Sequence, residues 1–373
     1  MNTGFKVSDV DIGDLLVPRE LLGEGGLWGF GYSTDGGLGN LSTTSVPTPL
    51  NMGSNWKTVS SSTMSVIGIK MDGSLWGWGD NGYGQLGIND RTNRSSPVQI
   101  LGGGSWKSVS CGYTHSAAIK MDGSLWACGY NHQGQLGTND RVHRSSPVQT
   151  IAGGNDWKMI SCGDSMTAAI KTNGTLWVYG YNNFGQLGIN NTSSKSSPVQ
   201  TITGGNDWSI VSTGSSITGA IKTDGTLWMW GAATYGCLGN NNDSIHKSSP
   251  VQTITGGNNW KTIACAAFCA ATKTDGTLWV WGSNNGDALG LGLEGAYEHK
   301  SSPVQTAIGG YDWKYAYAKN FSGSASKTDG SIYLWGQYIG NALYQPTQYF
   351  SNVFNGRLTC AGEAYLTIVI EDI

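Results

Sequence analysis

A unit of about fifty residues recurs through this chain, and that recurrence limits the fold more than any other feature. The segment Ser74-Leu75-Trp76-Gly77-Trp78-Gly79 returns as Ser124 to Gly129, Thr175 to Gly180, Thr226 to Gly231, Thr277 to Gly282 and, altered, Ser331 to Gly336. Counting from Trp28, the equivalent aromatic stands at 28, 76, 126, 177, 228, 279 and 333, in steps of 48, 50, 51, 51, 51 and 54. Such periods belong to solenoids, propellers and arrays, whose units bury a face only against the next unit.

Within a copy the apolar runs are short. In the third, Leu125 to Gly129 leads through Asn131 to Gly137 to Ser146-Pro147-Val148-Gln149, then Trp157 to Cys162 and Ala168 to Lys171. None reaches the length of a periodic helix, so the expectation is all-β with four strands per copy. Copies meet at Asp72-Gly73, Asp122-Gly123, Asn173-Gly174, Asp224-Gly225, Asp275-Gly276 and Asp329-Gly330. Asp-Gly or Asn-Gly between apolar runs is a hairpin signal, here read with positive φ at both central residues. The last strand of one copy therefore pairs with the first of the next.

Seven copies predict a seven-bladed β-propeller of four-stranded blades over residues 25–373, with residues 1–24 as an N-terminal arm. The first strand, about 27–31, lacks a preceding partner, and the last, about 366–371, lacks a following one. Pairing them closes the ring and removes two exposed edges. Composition agrees: 57 Gly and 16 Trp suit many tight turns and large buried rings, and 13% charged residues is about half the usual share.

The same totals argue against several functions. A net charge of -3 offers no basic footprint for nucleic acid. No apolar run of membrane-spanning length occurs, and Asp9, Asp11 and Asp14 interrupt any signal-peptide core, so neither membrane nor secretory route is expected. Cys111, Cys162 and Cys265 share one repeat position with Ser61, Thr213, Ala318 and Ala361, which asks for a small side chain rather than a thiol. The five histidines recur with no ligand spacing. No catalytic residue, metal or cofactor is expected.

Trp76 to Gly87, with Ser96-Pro97-Val98 and Cys111 to Ala118 behind it, resembles the regulator-of-chromosome-condensation repeat. The resemblance covers about residues 25 to 340 and implies a seven-bladed propeller. The family's founder acts in nucleotide exchange on a small GTPase, but here the longest departure from the repeat is three residues around Gly292 to Tyr297, too short for an inserted exchange hairpin. Phe5 to Arg19 resembles short leaders of some phage virion proteins.

These readings lead to a non-enzymatic, structural or protein-binding propeller. The expected setting is a phage virion, in a tail or capsid appendage, with Phe5, Val7, Leu15, Leu16 and Arg19 docking it to other virion proteins, as a homo-oligomer if the assembly requires one. The alternatives are a free cytoplasmic binding or inhibitory module and a small-GTPase regulator. The turn between the third and fourth strands varies most among copies, and loops on a rigid scaffold carry recognition. Met64, Tyr113, His115, Met166, Ile217, Phe268, Phe321 and Tyr365 are therefore the expected protein-binding residues, around one mouth of the channel.

Overall fold

The computed structural model describes residues 26–31, 36–37, 39–42, 46–292, 298–319, 321–338, 341–350, 357–361 and 365–369. The expected docking residues Phe5, Val7, Leu15, Leu16 and Arg19, and residues 293–297, lie outside them.

Two strands come first, β1 (Leu27–Gly31) and β2 (Val46–Asn51). Then β3 (Trp56–Ser61), β4 (Ser65–Lys70), β5 (Leu75–Gly79) and β6 (Arg94–Gln99) form one antiparallel sheet. The next is β7 (Trp106–Cys111), β8 (His115–Lys120), β9 (Leu125–Gly129) and β10 (Arg144–Gln149). It is followed by β11 (Trp157–Cys162), β12 (Met166–Lys171), β13 (Leu176–Gly180) and β14 (Lys195–Gln200). The pattern continues with β15 (Trp208–Thr213), β16 (Ile217–Lys222), β17 (Leu227–Gly231) and β18 (Lys247–Gln252). After it come β19 (Trp260–Cys265), β20 (Phe268–Lys273), β21 (Leu278–Gly282) and β22 (Lys300–Gln305). The last such sheet is β23 (Trp313–Lys319), β24 (Ser322–Lys327), β25 (Ile332–Tyr338) and β26 (Asn341–Phe350). Two strands remain, β27 (Arg357–Ala361) and β28 (Tyr365–Val369).

The expectation of a seven-bladed propeller is corrected by this topology: six four-stranded blades, not seven, are built of consecutive strands. The four remaining strands, two from each end of the described chain, form a composite sheet in the order β2-β1-β28-β27. The cause is a half-copy phase difference between repeat and blade. A hairpin joins the end of one copy to the start of the next, so the chain begins and ends with half a blade. β1 pairs antiparallel with β28, Leu27 opposite Val369 and Gly31 opposite Tyr365. The innermost strands β3, β7, β11, β15, β19, β23 and β27 touch in succession, and β27 touches β3, closing a ring around a central channel.

The hairpins also differ from the expected form. Gly73 N donates to Lys70 O at 2.9 Å, so Met71 and Asp72 are the central pair. Gly73 alone has positive φ, +81°, which is the three-residue loop with a glycine bulge. Asp72 Oδ1 accepts from Ser74 N at 2.8 Å and Ser74 Oγ at 2.6 Å, and Ser74 Oγ accepts from Trp76 Nε1 at 2.8 Å. These hydroxyl and backbone bonds hold the Asp72 carboxyl below the usual carboxylate range. The preceding Lys70 lies 5.4 Å from Trp56 and 4.2 Å from Trp76, between two indole faces that favour a cation. The motif repeats: Lys120, Lys171, Lys222 and Lys273 each sit between two tryptophans.

Neighbouring blades meet through the Gly-x-Leu-Gly part of each long loop. A Cβ on Gly134 would stand 2.4 Å from Ser196 Cα of the next blade, at φ +85°. Gly204, at φ +55°, has no atom within 4 Å of such a Cβ. Gly134→Ala is therefore expected to cost clearly more than the roughly 1 kcal/mol of a left-handed non-glycine residue, and Gly204→Ala about that amount. Denaturant unfolding of the two variants checks this; equal losses would mean that no close blade contact exists at Gly134.

Candidate protein-binding faces

Each blade exposes two sets of connections. One face carries the turns after the innermost strands and the long loops after the third strands; Asp80 N of the long loop donates to Met64 O of the turn at 2.8 Å. The opposite face carries the Asp-Gly hairpins and the glycine-rich connections between blades, joined by Met121 N donating to Ser105 O at 2.9 Å.

The expected binding residues divide sharply between surface and interior. Met64 and Tyr113 are exposed, Tyr113 by 45%, and they lie on the corresponding turns of adjacent blades. His115, Met166, Ile217 and Phe268 are buried; each begins a second strand and packs inward. His115 Nε2 lies 2.9 Å from Thr167 Oγ1 of the next blade, and Thr218 Oγ1 donates to Met166 Sδ at 3.7 Å across the following junction. These four serve blade cohesion, so the expected ring of eight is corrected: variation among copies here reflects alternative packing, not exposure. Phe321 is half-buried, and Tyr365 is described only as a backbone partner of Gly31.

What sequence reasoning missed is a set of histidine clasps. His143 Nδ1 accepts from Asn131 N at 2.9 Å, His246 Nδ1 from Ala233 N at 3.0 Å and His299 Nδ1 from Asn284 N at 2.9 Å. Asn93 and Ser194 take the same part elsewhere, accepting from Asn81 N and Asn182 N. Each histidine also meets an aromatic ring from the preceding blade: Tyr83 with His143 at 6.1 Å, Phe184 with His246 at 5.2 Å and Tyr235 with His299 at 4.3 Å. The signal was in the sequence, because the copies that precede Asn93-type or Ser194-type loops do not share that pattern; Gln133 stands before Ser194.

The largest aromatic group joins the first two consecutive-strand blades. Tyr130 stacks on His143 at 4.5 Å and 22°, and Tyr83 meets Tyr130 edge-on at 4.8 Å. Tyr130 N donates to Thr114 O at 2.9 Å, which ties this cluster to the turn bearing Tyr113. A groove of about 280 Å³ lies at another junction, lined by Thr234, Tyr235, Asp243, His299 and Ser301.

The central channel encloses about 430 Å³ where its wall is described. Its hydroxyls already bridge blades: Ser60 Oγ accepts from Cys111 N, Ser110 Oγ from Cys162 N, Ser161 Oγ from Thr213 N and Ser212 Oγ from Cys265 N, at 2.9 to 3.0 Å. Burial pushes the thiols of Cys111, Cys162 and Cys237 up to about 12 and that of Cys128 to about 11, so all four are thiols at neutral pH, poor nucleophiles and poor ligands. Among the described residues no group of three His, Cys, Asp or Glu could hold a metal, and no helix is long and apolar enough to cross a membrane.

Two predictions arise from these placements. Phe268→Ser should cost about 3–5 kcal/mol by emptying a core site, while Tyr113→Ser stays within about 0.5 kcal/mol; chemical denaturation separates them. Burial lowers the pKa of His143 and His299, with Arg91 and His132 adding to the effect at His143, and burial alone lowers His115 to about 3. A folded-state pKa below the unfolded value near 6.5 means that the unfolded chain takes up the proton first. The stabilisation is complete above about pH 6.5 and is lost progressively below it, down to about pH 3 for His115. Melting temperature should thus drop as pH falls from about 6.5 toward 4, less steeply in His115→Met, and an unchanged slope in that variant would refute the assignment.

Comparison with known proteins agrees with the repeat. A family model described as RCC1-like domain matches residues 20–319. The ultraviolet-B receptor UVR8 of Arabidopsis thaliana is 30% identical over 188 residues, 48% of this chain and 41% of the receptor. The E3 ubiquitin-protein ligase HERC2 of Homo sapiens is 28% identical over 149 residues, 39% of this chain and 3% of the ligase. The match thus spans less than half of either relative. Among solved structures, human WBSCR16 superposes with a TM-score of 0.80 at 18% identity, covering 94% of this chain and 100% of that one. Yeast RCC1 (Prp20), solved bound to Kap60, gives 0.81 at 14%, covering 100% and 96%. None of these four is a virion protein, and the expectation of a virion component gains no support from them. The repeat, the propeller sheets and the family match over residues 20–319 together show that the chain belongs to the RCC1-like domain family.

Proposed function

We propose that the chain is a non-catalytic regulatory module that binds a protein partner through the aromatic patch at the junction of the β3–β6 and β7–β10 blades. The observation that carries this reading is the continuity of Tyr83, Tyr130 and His143 with the turn of Tyr113, on a face where Met64 is also exposed. Aromatic residues and Met are enriched in interface cores, and tyrosine offers large contact area at small entropy cost. The family supports the reading at the same level, since its named relatives include a receptor and an E3 ubiquitin-protein ligase. A free module is the form preferred here over an assembly component.

The test is a double variant, Tyr83→Ser with Tyr113→Ser. Tyr113 has no structural partner in the aromatic cluster, and Tyr83 lies at its exposed end, so the melting temperature should stay within a few degrees of the parent. Partner capture from the source cells, quantified by mass spectrometry against a Tyr311→Ser control on the opposite face, should fall at least about tenfold, as loss of central interface anchors does. Capture that is unchanged in the double variant and lost in the control would place recognition on the other face.

A further inference from the structure

We propose that the face opposite the aromatic patch is a docking surface for this chain's own N-terminal segment, residues 7–17, which seats its carboxylates on a ring of lysines around that mouth of the channel. Independently of the partner-binding reading, the innermost strands supply the ring. Lys57, Lys107, Lys158, Lys261 and Lys314 each follow the first tryptophan of an innermost strand, at the end next to the hairpins. The first four are exposed, and among the described residues none of the four is in an ion pair. The lysines one strand outward are different: Lys171, Lys222 and Lys327 are mostly covered, flanked by aromatic rings and paired with Asp156, Asp207 and Asp312. Lys57, Lys107, Lys158 and Lys261 thus have no ion-pair partner within the described structure, on a face whose aspartates are bound into the hairpins or to the outer lysines.

The same face carries an apolar rim. Leu101, Ile151, Ile202, Ile254 and Ile308 stand on the connections between blades, exposed by 39–56%. A matching partner needs several carboxylates interleaved with aliphatic side chains. Residues 7–17 read Val-Ser-Asp-Val-Asp-Ile-Gly-Asp-Leu-Leu-Val. In an extended chain Asp9 and Asp11 fall on one side and Val10 and Ile12 on the other. Position also favours this occupant. Leu27 N donates to Gly53 O, so the chain enters β1 on the lysine-bearing face. β1 is the third strand of its sheet, about 10 Å from the innermost one. The eight residues from Pro18 to Gly25 can span about 26 Å, ample for the crossing.

Lysine acetylation footprinting of the full chain tests the proposal. In Asp9→Asn/Asp11→Asn/Asp14→Asn, the labelling rates of Lys57, Lys107, Lys158 and Lys261 should rise several-fold, with Lys195 and Lys247 on the other face unchanged. Carbodiimide cross-linking of the unsubstituted chain, mixed with an isotope-labelled copy, should join Asp9, Asp11 or Asp14 to those lysines within one molecule. Unchanged labelling in the triple variant overturns the proposal. So do cross-links found only between copies, which would make a second molecule the occupant, and cross-links from these aspartates to other lysines only.

Discussion

The ring depends on one backbone carbonyl per blade, the one that precedes the Leu-Gly of each long loop. Gln85 O accepts from Ser116 Oγ at 2.6 Å, and Gln135 O from Thr167 Oγ1 at 2.8 Å. Gln186 O accepts from both Thr218 Oγ1 and Trp230 Nε1 at 2.8 Å. Cys237 O and Ala288 O accept from Trp281 and Trp335 at 2.9 and 2.8 Å. Every donor belongs to the next blade and is buried, so losing the acceptor would leave an unpaired polar group inside, at a cost of about 1–3 kcal/mol. Because a carbonyl does the work, the side chain there is free to be Gln, Cys or Ala. Its loss is felt only locally. Gln85, Gln135 and Gln186 also accept through Oε1 from Tyr83, Gln133 and Phe184 N, whereas the Cys237 and Ala288 loops tighten into 3-10 turns, Thr234–Gly236 and Asn285–Asp287.

Getting that carbonyl into place fixes the rest of the loop. Its chain must pass against the neighbour's outer strand, where a side chain at Gly134 would collide with Ser196. It must then turn in the left-handed region, where Asn89, Asn139, Asn190 and Asn241 sit and donate through N to the Ser145, Ser196, Ser248 and Ser301 carbonyls. Asn tolerates that conformation better than other non-glycine residues. The histidine clasps add a second layer on the same loops. At His143 and His299 acceptance of a backbone N–H needs an unprotonated Nδ1, so cohesion at those two junctions carries a pH dependence that the Asn93 and Ser194 junctions lack.

Much of this was legible because repetition separates constrained positions from free ones. The copy number, the Asp-Gly hairpins, the tryptophan core and the demand for a small side chain at Cys111, Cys162 and Cys265 were all readable from identity among copies. The same logic failed at His115, Met166, Ile217 and Phe268. A position can vary and still be buried when each occupant meets a different neighbour, as His115 meets Thr167 and Met166 meets Thr218. Seven copies give six blades of consecutive strands, because the hairpins pair the end of one copy with the start of the next and leave half a copy at each end, the two halves meeting in the composite sheet. The aromatic and histidine pairs were missed because they couple one copy to the next, a correlation invisible when each column of copies is read alone.

Because cohesion uses the channel wall and the loop carbonyls, the polar groups at the junctions are largely committed to holding the ring. What remains for recognition is at the two faces, and the faces differ in kind. On one, tyrosine and histidine rings stack across a junction and give a firm apolar surface with little to lose on binding. On the other, exposed aliphatic side chains stand just past the outermost strands, and lysines stand at the starts of innermost strands. Lys70, Lys120, Lys171, Lys222 and Lys273, at the ends of second strands, are held between indole faces, whereas Lys57, Lys107, Lys158 and Lys261, each next to the first tryptophan of an innermost strand, are exposed. Packing explains the caged set completely. It does not explain Lys57, Lys107, Lys158 and Lys261, four exposed like charges at the starts of innermost strands, where β15 carries Ser209 instead.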